Sequence, residues 1–350
     1  MDQFHAKLAA IAISFIPLCS TWCATPVFAD STVATATKEQ DKQRREIDEH
    51  LNALIKHRRT RGGWLGNGEL PQNVKFIADI PYVQNAGKSQ RLDLYLPQTE
   101  SGVSEENVKS TKEDSQAKNE SSAKLKTGLP LVIWIHGGGW RGGDKKGGPM
   151  RALLNAGFAV ASINYRLSGE AKWPAQFDDC RSAISYLESH AGEYGIDPNR
   201  VALWGASAGG HLVLMLALKD GTAHGIKAVC DWFGPTDLVS YIQSQKTTPN
   251  GLEMIKQLLQ TDQSGLLPAA KDASPVTFIK KDSSMPSRLI VHGKQDPLVP
   301  VDQSENLAKR LIDLGYSNIT LSVIKGGHGF PGFGNDTIQN TIGFFKSTLK

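Results

Sequence analysis

The chain has 350 residues, 40% of them hydrophobic and 21% charged. That mix excludes wholesale disorder, which needs few apolar residues and a high net charge. Its 34 glycines follow no G-X-Y period, its four cysteines include no C-x-x-C pair, and its net charge is only +4; collagen, a disulfide scaffold, a zinc finger and a nucleic-acid-binding stripe are thereby excluded.

Residues 1–29 hold no acid after Asp2 and no base after Lys7. An apolar run at 8–18, then Val27-Phe28-Ala29, predicts a secretory signal cleaved after Ala29, and hence a secreted or periplasmic protein. An uncleaved membrane anchor is the rival reading, weakened by Pro17, Pro26 and the interspersed Ser and Thr. After cleavage there would be no stable membrane association. The mature chain would keep Cys180 and Cys230, either paired, as an oxidising compartment permits, or as two buried free thiols.

Residues 30–72 are strongly charged, and Ile47, Leu51, Leu54 and Ile55 fall on one face of a helix. They predict an amino-terminal helical segment, in which His57, Arg58, Arg59 and Arg61 read as solvated surface. The main domain is expected over 73–350. Strands are predicted at 74–83 and 91–96, the second with Leu92, Leu94 and Leu96 alternating. Residues 98–128, rich in Ser, Glu, Lys, Asp and Asn, predict a mobile polar insertion.

From residue 129 short apolar runs alternate with helical stretches. Strands are predicted at 131–135, 158–163, 201–204, 228–233, 288–292 and 320–324, and helices at 149–156, 174–191, 209–218 and 336–349. Such alternation implies a mostly parallel sheet with helices on both faces. Residues 234–283 break the rhythm with a helical segment at 252–259, which predicts a small helical lid. Asp178 and Asp179 read as first-turn helix acids that suit the dipole.

The sharpest signal is Gly205-Ala206-Ser207-Ala208-Gly209, between a predicted strand and a predicted helix. A serine on that sharp turn projects its hydroxyl from the sheet edge, and the N–H groups beside it favour developing negative charge. His136-Gly137-Gly138-Gly139-Trp140 follows another strand; its glycines let backbone N–H groups approach a ligand. The G-K-[ST] ending of a phosphate loop is missing. A serine nucleophile needs a histidine to take its proton. With the order serine, acid, histidine of this turn type, His328 in Gly326-Gly327-His328-Gly329 is the base. Asp296, in the turn after strand 288–292, is the orienting acid; Asp237 is the runner-up and reads better as a loop or cap anchor. His136 and His211 read as structural. No metal-ligand spacing is present.

These motifs resemble the α/β-hydrolase superfamily, within it the esterase/lipase group with an His-Gly-Gly-Gly motif, and more narrowly the bacterial feruloyl-esterase-like (BD-FAE-like) branch. The likeness is carried by 135–145, by Asp197-Pro198-Asn199-Arg200 and by 204–211, and covers about 73–350 less the insertion. It implies an α/β-hydrolase fold with a mostly parallel eight-stranded sheet. It implies Ser207, Asp296 and His328 as a triad, with oxyanion donors from Gly138, Gly139 and Ala208. It also implies hydrolysis of small acyl esters, including acetyl or feruloyl groups on plant polysaccharide, with no cofactor. The expected partner is a small-molecule or polysaccharide-linked ester and not nucleic acid; oligomeric state stays open. An exopeptidase or amidase of the same fold, and a non-catalytic binding module on this scaffold, are the alternatives. Trp140, Trp173 and Trp232 could stack a sugar or an aromatic acyl group, or pack the core.

Overall fold

The computed structural model describes residues 70–71, 73–98, 128–221, 223–281, 285–329 and 332–350. The expected signal peptide, nearly all of the charged amino-terminal segment and the interior of the polar insertion lie outside the described residues.

Among the described residues eight strands form one sheet: β1 (Val74–Pro81), β2 (Arg91–Pro97), β3 (Leu129–Ile135), β4 (Ala159–Ile163), β5 (Ile196–Ala206), β6 (Ile226–Trp232), β7 (Ser287–Gly293) and β8 (Ile319–Ile324). Their order is β1-β2-β4-β3-β5-β6-β7-β8. β2 pairs antiparallel with both β1 and β4, and the five pairings from β4 to β8 are parallel. Parallel strands need crossovers, and the crossovers here carry helices that cover both faces. This is the α/β-hydrolase fold.

The strand sequences show why. In β3, Leu131, Ile133 and Ile135 enter one core, while Val132 and Trp134 enter the other. Successive side chains of a strand point to opposite faces, so a strand apolar at every position must be covered twice. The first core takes Phe177, Ile184 and Leu187 from α2 (Ala175–Ser189) and Leu212 and Val213 from α4 (Ala208–Met215). Between them lies the short helix α3 (Ala191–Tyr194). The second core takes Leu153 and Leu154 from α1 (Met150–Asn155) and Ile338, Ile342 and Phe345 from α9 (Asn335–Thr348).

Residues 234–281 form α5 (Leu238–Gln243), α6 (Pro249–Leu259), α7 (Leu266–Asp272) and a short 3-10 turn. Helix α6 starts with Thr248 accepting from the Gly251 N–H, and Pro249 occupies its first turn. Within the lid segment only α6 was foreseen as a helix; outside it α3 and α8 (Asp302–Asp313) were not, and in α8 Leu307, Ala308 and Leu311 are buried. Asp178 lies in the first turn of α2, but Asp179 departs from the expectation. It is buried and bonded by Arg166 and Gln90, so it holds the 165–168 turn instead of serving the dipole. Cys180 and Cys230 are both buried and free. Among the described residues no helix is long and apolar enough to cross a membrane.

Candidate active site

β5 delivers Ser207. Its φ of 55° and ψ of −119° are a conformation that side-chain-bearing residues adopt at a cost on the order of 1–3 kcal/mol. Small neighbours make the turn possible. Gly209 packs so closely on the end of β3 that a Cβ there would collide with the Ile135 carbonyl oxygen. The Ser207 N–H donates to the Trp232 carbonyl at 2.8 Å, which ties the turn to β6. Ala208 begins α4, so its N–H has no acceptor within the helix.

The loops after β7 and β8 bring the other two groups. They continue the strand ladder: Lys294 N–H donates to Ile324 O and Gln295 N–H to Gly326 O, at 2.8 and 2.9 Å. The Gly326 N–H donates back to the Gln295 side chain at 3.0 Å. This zipper holds His328 and Asp296 side by side. His328 Nε2 lies 2.9 Å from Ser207 Oγ, and His328 Nδ1 lies 2.8 Å from Asp296 Oδ2. Because the carboxylate can only accept, Nδ1 carries the proton and Nε2 is free to accept one. The Phe233 ring packs edge-on to the imidazole, with centroids 4.6 Å apart.

The side chain of Asp296 is fully enclosed. Its Oδ1 accepts the N–H groups of Leu298 and Val299, each at 2.9 Å. Burial works to raise its pKa, but His328 and His292 outweigh that and hold the carboxyl well below the usual range. It is therefore an anion throughout the neutral range.

The Gly-rich loop lies directly against the serine turn. A Cβ on Gly137 would stand 2.5 Å from Ala206 O and 3.2 Å from Ser207 Cβ. Gly139 and Ala208 border a cavity beside Ser207, while Gly138 sits one residue back, its carbonyl accepting from Arg141 and Gly142. His136 is buried, stacks on Tyr165 with centroids 4.4 Å apart, and is a structural support. His211 is also buried; its Nε2 meets the Ala273 carbonyl at 2.7 Å, and burial pushes its pKa down to about 4. Asp237 caps α5 by accepting from the Ser240 N–H.

The cavity beside Ser207 has a volume of about 20 Å³ and is walled by Trp140, Met254, Ile255, Leu298 and Val299. A larger cavity of about 320 Å³ lies between α1 and α9 and holds none of these groups. Trp232 and Trp173 are buried away from the cavity, Trp232 in the second core, and only Trp140 of the three lines it. Among the described residues no three His, Cys, Asp or Glu side chains gather as a metal site would.

Sequence reasoning overlooked His292 and Met254. His292 was signalled by standing next to a glycine at the end of a strand, four residues before Asp296. Met254 carried no signal, since spacing on a helix does not say which loop its face meets.

A family model described as BD-FAE matches residues 120–311. The chain is 30% identical over 196 residues to "Probable carboxylic ester hydrolase LipM" of Mycobacterium tuberculosis, covering 52% of this chain and 44% of that protein. It is 27% identical over 213 residues to "Esterase LipQ" of the same organism, covering 57% and 49%. The chain thus spans about half the length of these curated relatives. A solved structure, a "Truncated form of carbohydrate esterase from gut microbiota", matches with a TM-score of 0.64 and 28% identity, over 81% of this chain and 99% of that one.

Proposed function

The chain belongs to the BD-FAE family, and from this premise we propose that it is an exported serine carboxylesterase acting on short acyl esters. The observation that carries the reading is the continuous contact Ser207 Oγ–His328 Nε2, 2.9 Å, and His328 Nδ1–Asp296 Oδ2, 2.8 Å. Serine is barely ionised at neutral pH, and a histidine at hydrogen-bond distance is the group that makes it nucleophilic.

In this reading Ser207 attacks the ester carbonyl while His328 takes its proton. The imidazolium is stabilised by Asp296, which stays ionised. The N–H groups of Gly138, Gly139 and Ala208 receive the developing oxyanion; each such donor is worth about 10²–10³ in rate. His328 then gives its proton to the leaving alcohol. Water, deprotonated by His328, releases the acid from Ser207.

The narrow cavity beside Ser207, with Trp140, Met254 and Ile255 in its wall, favours a short acyl group. Helix α6 supplies the outer wall through Met254 and Ile255, which supports the lid assigned to 234–283. A carbohydrate ester is the favoured substrate class, supported by the carbohydrate esterase among the structural relatives. Export is supported by the apolar run at 8–18 and by Val27-Phe28-Ala29.

The test is hydrolysis of p-nitrophenyl acetate by the protein and by Ser207→Ala. Turnover by the wild type and background rates for a folded variant support the reading. Equal rates for the two would remove Ser207 as nucleophile.

A further inference from the structure

The carboxylate of Asp296 is held by a second histidine. His292 is the penultimate residue of β7 and is completely buried. Its Nε2 lies 2.8 Å from the Val299 carbonyl oxygen. A carbonyl only accepts, so Nε2 carries a proton. The same nitrogen lies 3.3 Å from Asp296 Oδ2, the oxygen that meets His328. On the far side of the ring, Nδ1 lies 2.6 Å from Ser304 Oγ of α8.

Val299 links the two oxygens of the carboxylate. Its C=O accepts from His292 and its N–H donates to Asp296 Oδ1 at 2.9 Å. One imidazole thus reaches Oδ2 directly and Oδ1 through a single residue. The titratable groups facing His292 are Asp296 and, from β6, Asp231; His328 stands across the shared carboxylate.

We propose that His292 is a positioning residue for Asp296: it fixes the plane of the carboxylate and draws off part of the charge that Oδ2 presents to His328. Only the rate measurements of its test rest on the esterase reading. Two consequences follow from electrostatics. Without the His292 N–H, Oδ2 turns more of its charge on His328 and holds the imidazolium more firmly, so the acid limb of the rate–pH profile moves to higher pH. A carboxylate free to rotate also orients His328 less well, so kcat falls while KM barely changes.

The test compares His292→Leu, which removes the N–H, with His292→Gln, whose amide N–H replaces Nε2–H. Rates are expressed per site titrated with a phosphonate probe, so unfolded protein is not counted. His292→Leu should lose about 10- to 100-fold in kcat, the scale on which orienting partners act, with its acid limb displaced upward. His292→Gln should recover most of the rate and return the limb. Should His292→Leu not fold, His292→Asn, too short to reach Oδ2, takes its place. Equal impairment of the Leu and Gln variants with an unmoved limb would mean packing alone and overturn the proposal, as would a Leu variant that matches wild type.

Proton NMR of the imidazole N–H signals reads the same arrangement without any substrate. The signal from the His328–Asp296 bond should shift when His292 becomes Leu. Absent ester turnover in wild type would remove the functional reading alone; an unmoved His328 signal in His292→Leu would remove the positioning role.

Discussion

Lys145 and Asp93 form an ion pair sealed inside the protein: Nζ lies 2.6 Å from Oδ1, with side chains only 5% and 3% exposed. Lys145 closes the loop that begins at His136, and its backbone is pinned by Asn164 and Ser162. A second carboxylate, the exposed Asp79, lies 2.9 Å from Nζ. Burial opposes the charge on Lys145, but the two acids outweigh it and keep the pKa above its ordinary value.

Lys145→Met should therefore destabilise the protein by about 3–5 kcal/mol, because the buried Asp93 loses its counter-ion and keeps only the Asp79 N–H. Denaturant unfolding measures this. The double variant Lys145→Met/Asp93→Leu should recover much of the loss. A single variant as stable as wild type would show the pair to be dispensable.

Asp296→Asn keeps the shape of the acid but offers His328 an amide that can donate, which favours the wrong tautomer. The expected loss in kcat on p-nitrophenyl acetate is about 10³–10⁴-fold. A loss below tenfold would take the orienting role from Asp296. Stability gives a second reading. The folded pKa is depressed, so the stabilisation is complete above the unfolded value of about 3.9 and is lost as pH falls below it. Wild type should weaken steeply below about pH 4, and Asp296→Asn should show a flatter curve there.

Met254 sits where any side chain on Gly139 would collide with its sulfur, and it closes the Ser207 cavity. Met254→Ala should open room for longer acyl chains. The ratio of kcat/KM for p-nitrophenyl butyrate over acetate should rise by about tenfold or more, the scale of one or two methylenes in a fitted pocket. An unchanged chain-length profile would place the acyl group elsewhere.

Asp231 is buried at the end of β6. Oδ1 accepts from the Gly234 N–H, Oδ2 has no hydrogen-bond partner among the described residues, and burial pushes the pKa up to about 7. Here the sign is reversed. The folded state keeps a proton that the unfolded chain releases, so stability falls as pH rises from 3.8 to about 7. Asp231→Asn removes this penalty, which is on the order of 4 kcal/mol once the native group has ionised. Thermal unfolding should show a larger gain at pH 8 than at pH 5; equal gains would mean that Asp231 titrates normally.

The sheet and the three central side chains were legible because they rest on local rules. Ser207 stands in a strand–turn–helix whose small residues are required by close contacts, and the order of strands then selects Asp296 and His328. Helix α8 was legible in principle through Leu307, Ala308 and Leu311, but its polar surface masked the stripe. Asp179 was misread because adjacency on a helix does not tell which of two acids meets Arg166. His292 and Met254 matter through contacts between segments distant in the chain or across a turn, and no periodicity encodes such contacts.

His328 follows β8, which among the described residues is an edge strand paired with β7 alone, and it meets a serine 121 residues earlier in the chain. The contact is of high sequence separation, the kind whose loop-closure entropy slows folding. During synthesis the serine turn and its Gly-rich loop emerge long before the strand that delivers the imidazole. A nascent or carboxyl-truncated chain would hold Ser207 as an ordinary alcohol. On the proposed mechanism, reactivity is thereby withheld until β8 is in place.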